Sequence, residues 1–271
     1  MDTHANPVAP DRVQEMRGIS NVERQHAILH LIQQRKRITV AEICEIFGVS
    51  EATARRDLET LAEQGAIQRV RGGAILSQPA PPEPPLLERA KEQAEAKARI
   101  GRATAALIND HESVFLGSGT TVLEVARNLR TRQGLTVITN SLPVINLLAE
   151  VPNITLVSLG GILRPSELSF IGHITEQALA EVRAEKVIIG IRAISLEHGL
   201  TNDYLPETLT DRAILKVGRQ VIVVADHTKL GVIASAYLAP LDVMDILVTD
   251  QDADPDFVQS LRARGIQVIL A

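Results

Sequence analysis

Residues 116–121 read Leu-Gly-Ser-Gly-Thr-Thr, directly after a β-branched run and at the start of an amphipathic segment. Such a junction can hold an anion. Glycines let backbone amides approach it, hydroxyls donate to it, and a helix N-terminus adds favourable potential. The loop lacks the GK[ST] of a Walker loop and the register of a dinucleotide fingerprint, which speaks against a nucleotide-binding protein. Three similar junctions follow: Thr139-Asn140-Ser141, Gly160-Gly161 with Arg164, and Asp226-His227-Thr228-Lys229. Any one of them alone reads as ordinary turn chemistry. In an open parallel sheet, however, ligands sit beyond the carboxyl ends of strands. Four polar strand ends can therefore converge on one anionic, hydroxyl-rich ligand. Its expected contacts are Gly117, Ser118, Gly119, Thr120, Thr121, Thr139, Asn140, Ser141, Gly160, Gly161, Arg164, Asp226 and Lys229.

A second set of residues points to a different anion. Thr53, Arg55 and Arg56 begin an amphipathic stretch, 51–64, whose Ala54, Leu58 and Leu61 form one apolar stripe. Side chains off that stripe, at a helix N-terminus, are placed to reach base edges and phosphates in a major groove. Arg69 and Arg71 lie on an expected hairpin turning at Gly72-Gly73, suited to track a phosphate backbone. The expected DNA contacts are Lys36, Arg37, Ser50, Glu51, Thr53, Arg55, Arg56, Arg69 and Arg71.

The elements needed to position these residues are written locally. Ser20-Asn21-Val22-Glu23 and Thr39-Val40-Ala41-Glu42 are capping boxes. They open helices reaching about Gln34, burying Ile28, Leu29 and Ile32, and Phe47. Gly48 ends the second helix, Val49 fills the turn, Ser50 caps the third helix and Gly65 stops it. Downstream, short β-branched runs alternate with helical segments. The runs are 113–116, 136–139, 154–159, 186–191, 220–225, 245–249 and 267–270. Apolar runs without period-2 alternation suit strands buried on both faces, and strand–helix alternation implies a mainly parallel α/β sheet.

Composition bounds what the chain can be. Hydrophobic residues make up 45% and charged residues 23%, enough for a folded core. No apolar run approaches a membrane span, and the first twenty residues lack a signal-peptide core, so a cytoplasmic protein is expected. A single cysteine, Cys44, excludes an internal disulfide framework and is read as a packing residue. Four Phe, two Tyr and no Trp argue against an aromatic platform for single-stranded nucleic acid. His26 and His30 stand at i, i+4 without a third ligand nearby, so neither metal nor cofactor is expected. Residues 17–76 carry nine Lys/Arg and seven Asp/Glu, net +2, whereas 77–271 carry eighteen and twenty-three, net −5. Five prolines between 79 and 85 separate the two. The expected organisation is an arm at 1–19, a winged helix-turn-helix at 20–77, a Pro-rich linker at 78–89, and an effector-binding and oligomerisation domain at 90–271.

Val49-Ser50-Glu51-Ala52-Thr53-Ala54-Arg55-Arg56-Asp57-Leu58, with Leu61, Gly65 and Arg69-Val70-Arg71-Gly72-Gly73-Ala74, resembles the N-terminal signature of DeoR-family bacterial transcriptional regulators. Ala54 stands where that family usually has Ile. The resemblance continues through the 117–121 loop, Thr139–Ser141, Gly160-Gly161 with Arg164, Ser169–Gly172, Gly199–Thr201 and Asp226/Lys229, covering about residues 20–271. It implies a sensor domain similar in fold to ribose-phosphate isomerase. It also implies a phosphorylated sugar or sugar derivative that alters affinity for double-stranded operator DNA. By the same resemblance, the 117–121 loop holds the phosphate, and the stretch 169–201 suggests control of amino-sugar or related carbohydrate genes. The residues 203–207, Asp-Tyr-Leu-Pro-Glu, depart from the family pattern. The expected function is a non-enzymatic repressor of carbohydrate-utilisation genes, acting as a dimer or tetramer. The competing reading is an active sugar-phosphate isomerase or deaminase fused to a DNA-binding head, with Lys229 and Asp226 as acid–base groups.

Overall fold

Both capping boxes form, and they set where the first helices begin. Ser20 Oγ accepts from Glu23 N (3.3 Å) while Glu23 Oε2 accepts from Ser20 N (3.0 Å). Thr39 and Glu42 repeat this at 3.2 and 2.7 Å. The computed structural model describes residues 19–64, 66–76, 78–79 and 83–271, and the chain divides into units 1–79 and 80–271. The expected arm (apart from Ile19), the Gly65 stop, Ser77 at the end of the expected winged helix-turn-helix, and 80–82 of the expected linker lie outside the described residues.

The first unit contains α1 (Asn21–Arg35), β1 (Arg37–Thr39), α2 (Val40–Phe47), α3 (Glu51–Glu63), β2 (Ile67–Val70) and β3 (Gly73–Leu76). Gly48, in left-handed conformation at φ 67°, ends α2, and Ser50 Oγ accepts from Thr53 N to start α3. Ile28, Ile32, Ile43, Phe47, Ala54, Leu58, Leu61 and Ile67 form its core. Leu29 is only half-buried, and Leu31 takes the inward position instead. The sheet runs β1-β3-β2, all antiparallel. Its hairpin turns one residue earlier than the expected Gly72-Gly73. Val70 pairs with Gly73, so Arg71-Gly72 form the loop, with Gly72 at φ 87°. Gly73 is needed for closeness rather than turning, because a Cβ there would fall 2.1 Å from the Ile38 carbonyl oxygen of β1.

The second unit opens with α4 (Leu86–Arg89), a short helix inside the expected linker. Leu86 and Arg89 are buried and the Leu86 N–H donates to Ser166 O at 2.8 Å, so this helix is anchored to the second unit, while Leu87 and Glu88 stay exposed. Next come α5 (Ala94–Ala105), β4 (Ser113–Leu116), α6 (Thr120–Leu129), β5 (Leu135–Thr139), α7 (Leu142–Leu148) and β6 (Ile154–Ser158). They are followed by β7 (Ile162–Arg164), β8 (Ser169–Ile171), α8 (His173–Ala180), β9 (Ala184–Gly190), β10 (Ala193–Ser195), β11 (Gly199–Asn202) and α9 (Leu205–Ile214). The chain ends with β12 (Gly218–Val224), β13 (Ala236–Ala239), β14 (Ile246–Thr249), α10 (Pro255–Arg262) and β15 (Gln267–Leu270).

Seven strands form one parallel sheet in the order β15-β14-β12-β9-β4-β5-β6. Val114, Leu116, Val137, Ile188, Ile222 and Val248 pack on one side against Ile100 of α5 and Val122, Val125 and Leu129 of α6. Phe115, Val187, Val223 and Leu247, which alternate with them, are equally buried. Burial on both faces explains the unbroken apolar runs. The chain enters the sheet at β4, moves outward through β5 and β6 to one edge, then returns to the central strand β9 on the other side of β4. The strand order therefore reverses between β4 and β9, where a crevice opens at the strands' carboxyl ends.

Candidate functional site

In the first unit the side chains sort by face of α3. Ala54, Asp57, Leu58 and Leu61 are buried, while Glu51, Arg55, Arg56 and Glu59 are exposed and Thr53 is half-buried. Glu51 holds Arg55 through an i, i+4 pair at 3.3 Å, and Glu59 holds Arg69 of β2 at 3.3 Å. Such exposed pairs are weak and yield readily to a phosphate. Arg71 stands at the hairpin tip, and Lys36 and Arg37 are exposed at the α1–β1 junction. One positioning residue, Asp57, is not among the expected contacts. Asp57 accepts from Arg24 Nε (2.6 Å), Arg24 Nη2 (3.2 Å) and Gln25 Nε2 (3.1 Å), with both charged side chains nearly buried. This bidentate pair fixes α3 against α1 and thereby fixes where Arg55 and Arg56 point.

In the second unit a cleft lies at the β4–β9 reversal. Ser118, Gly119, Thr120 and Thr121 line it from the head of α6, Gly190, Ile191 and Arg192 from the end of β9, and Asp226 and Lys229 from beyond β12. Gly119 sits at φ 109° as the N-cap of α6 and supplies no capping side chain. The first amides of this ten-residue helix are thus left for another acceptor. The cleft's remaining charged lining is Glu83, Arg89, Lys97, Glu167, Glu207 and Asp211, with Asn202 beside them.

These charges are interlocked. Arg89 pairs with Glu83 at 2.8 Å and, by a shorter contact, with Glu167. Arg192 pairs with Asp203 at 2.7 Å, and Asn202 Nδ2 donates to Asp211 Oδ2 at 2.7 Å. Asp226 caps the turn 227–229 by accepting from Thr228 N at 3.0 Å. Burial holds Lys97 below the ordinary lysine pKa, partly offset by Asp226, and its ammonium donates to Arg89 O at 2.7 Å. Burial pushes the Asp211 carboxyl up to about 7 against the pull of Arg164, and it also raises Glu167. A carboxyl protonated near neutrality donates a hydrogen bond as well as accepting one.

The expected convergence of four strand ends is half met, since two of the four line the cleft. Thr139 instead bonds across to the β4 end, its Oγ1 donating to Leu116 O at 2.6 Å and accepting from Ser141 N at 3.0 Å. Asn140 Nδ2 donates to Phe170 O at 3.0 Å, while its buried Oδ1 has no partner among the described residues. Gly160 O accepts from Thr175 Oγ1 at 2.8 Å, with Gly161 packed beside the same hydroxyl. Arg164 pairs with Glu207, stacks 4.6 Å from the Tyr204 ring centroid, and so orients a lining carboxylate without lining the cleft. Gly117 lies behind the loop against Ile188. The cause is topological: β5 and β6 lead away from the reversal point, and β9 and β12 lead back along it. The β9 end, Gly190–Arg192, carries no hydroxyl-rich signature and was not singled out.

Residues 92–251 match the family described as the DeoR C terminal sensor domain, and residues 24–80 match the DeoR-like helix-turn-helix domain. The chain belongs to the DeoR family. This DeoR-family transcriptional regulator is 37% identical to the HTH-type transcriptional repressor GlcR of Bacillus subtilis, over 92% of this chain and 95% of that one. It is 32% identical to the glycerol-3-phosphate regulon repressor of Escherichia coli over 93% and 100%. Ribose 5-phosphate isomerase A of Methanocaldococcus jannaschii superposes only loosely on the DeoR-family chain. Its TM-score is 0.39 at 17% identity, over 51% of this chain and 55% of that one. No helix among the described residues is long and apolar enough to cross a membrane.

Proposed function

We propose that this regulator represses carbohydrate-utilisation genes by binding double-stranded operator DNA through α3 and the β2–β3 hairpin. A phosphorylated sugar or sugar derivative in the cleft governs that binding. One observation carries the effector half of the reading: the side-chain-free N-terminus of α6 and four cations, Arg89, Lys97, Arg192 and Lys229, face a single cleft. Amides at a helix N-terminus together with basic side chains suit a phosphate. The carboxylates across the cleft suit the hydroxyls of a sugar. The names of the relatives support the rest, since one is a repressor of a glycerol-3-phosphate regulon.

Helix-turn-helix proteins read paired half-sites, so the regulator acts as a homo-oligomer. Effector controls it by linkage, binding one arrangement of the DNA-binding heads more tightly than another. The cleft binds rather than turns over its ligand, and a turnover assay on sugar phosphates that shows product formation would refute this.

Gly119→Asp tests the site. A Cβ there meets no atom within 4 Å, so the cost is positive φ and like charge rather than crowding. The variant should bind operator as the parent does and fail to respond to effector. Ser118→Ala should weaken effector binding by about 1.5–3 kcal/mol if its partner is charged. A thermal-shift screen against sugar phosphates identifies the ligand, because a ligand of the native state raises the melting temperature. A normal response in Gly119→Asp would remove the phosphate-loop assignment.

A further inference from the structure

The cleft is narrow and closely lined by charged side chains, with a cavity volume of about 60 Å³. Its cationic side is occupied by Glu83. Glu83 Oε1 lies 2.8 Å from Arg89 Nη1 and 3.4 Å from Lys229 Nζ, and Oε2 lies 3.8 Å from Arg192 Nε. One largely buried carboxylate therefore answers three cations drawn from α4, the β9 end and the turn after β12.

The other lining carboxylates are tied into the body of the fold. Glu167 holds Arg89, Glu207 holds Arg164 and the Ser169 hydroxyl, Asp211 holds Asn202, and Asp226 caps its own turn. Glu83 is different in place. It precedes α4 and stands four residues after Pro79, the last residue of the first unit.

We propose that Arg89, Arg192 and Lys229 form the subsite for the anionic group of the effector. Glu83 occupies it as an internal anion, and effector binding expels Glu83 and so moves the segment that follows the DNA-binding unit. This rests on the reading of the cleft as an effector site. The exchange limits repulsion: a phosphate added beside Glu83 would meet five lining carboxylates, whereas a phosphate replacing it, at about −1.5 to −2, meets four and answers the three cations more fully than one carboxylate does. A phosphate offers three acceptor oxygens to guanidinium forks, more than a carboxylate does. Removing the glutamate side chain also enlarges the space. Because the Glu83-out arrangement binds effector better, effector populates it.

The experiment is calorimetric titration of the full chain with inorganic phosphate and with glucose 6-phosphate, in the parent, Glu83→Gln, Glu83→Asp and Ser118→Ala. With the competing charge gone, Glu83→Gln should bind about fivefold or more tightly. Glu83→Asp, charged but shorter, should fall between it and the parent and serves if Glu83→Gln fails to fold. Amide exchange at Glu83 and residues 86–89 of the parent (Pro84 and Pro85 carry no amide hydrogen) should quicken with saturating probe, although ligand binding ordinarily slows exchange. Equal or weaker binding in both Glu83 variants, or slowed exchange at these amides, overturns the proposal. If Ser118→Ala still weakens binding in that case, the cleft remains an effector site. If no variant binds either probe, both the proposal and the effector reading for these ligands fall.

Discussion

On α3, Arg55 and Arg56 stand exposed above a buried stripe of Ala54, Leu58 and Leu61. In the cleft, Arg89 and Arg192 are each 7% exposed and locked to carboxylates. On the proposed reading both regions hold cations for an anionic partner, but their cations are ready in different senses. An exposed arginine with one loose i, i+4 partner is free to meet DNA at little cost, and its contribution depends on salt. A buried arginine must keep an anion beside it at all times, because an uncompensated buried charge costs several kcal/mol. The cleft therefore carries its own counter-charges, and under the proposed exchange a ligand replaces one of them. The DNA-binding face has to be positioned, whereas the cleft has to be unlocked.

The largest effect is expected at Asp57, which with Arg24 gives the first unit a buried ion pair of its own. Asp57→Ala leaves Arg24 buried without its carboxylate and should cost about 3–5 kcal/mol, read as a lower denaturant midpoint of the first unit's transition. DNA binding should fall with it. An unchanged midpoint would show that α3 is held by apolar packing alone.

Asp211→Asn probes the cleft's buried charge through pH. The folded-state pKa of Asp211 is raised from 3.8 to about 7. Its contribution to stability is therefore fully present below about pH 4 and is lost as pH rises through 7. The parent should lose on the order of a few kcal/mol across that window. The amide variant, which keeps a bond to Asn202, should show a flatter profile and greater stability at pH 8. Identical pH profiles would place the titration elsewhere.

Arg55→Ala and Arg56→Ala should each weaken specific operator binding by about 1–3 kcal/mol with no change in melting temperature, because both side chains lie off the core. Operator affinity equal to the parent's in both variants would remove α3 as the reading helix. The smallest effects belong to Arg69→Ala and Arg71→Ala. These should weaken binding uniformly across sequences and lower the slope of log K against log salt by about one each. A loss confined to one operator sequence would reassign them to base contacts.

Much of this molecule was legible because the signals were local. All seven β-branched runs proved to be the seven strands of the parallel sheet, and both capping boxes opened helices at the residues that spell them. Ser118–Thr121, Asp226 and Lys229 line the cleft because each group directly follows a strand that ends beside the reversal point. The small antiparallel sheet β10-β11-β13 and the β7–β8 hairpin gave no comparable signal, being three- and four-residue strands whose pairing is set by neighbours. Gly73 shows the same limit in miniature. Its place in the sequence marks a turn, and its role is set by a β1 carbonyl that no local pattern reveals.

By itself, then, the sequence determined which segments are helix and strand, where the helices start, which face of α3 is apolar, and which loops could hold an anion. Those properties depend on residues within a few positions of one another, through periodicity, capping and turn conformation. Only the tertiary structure decided which loops meet. It set β9 beside β4, and so brought Arg192, Lys97 and Arg89 to a cleft that Arg164 and Asn140 do not line. It also placed Glu83 against Lys229, 146 residues away. Ion pairs and clefts of this kind form between strand ends whose adjacency is fixed by strand order, and strand order is a property of the whole sheet.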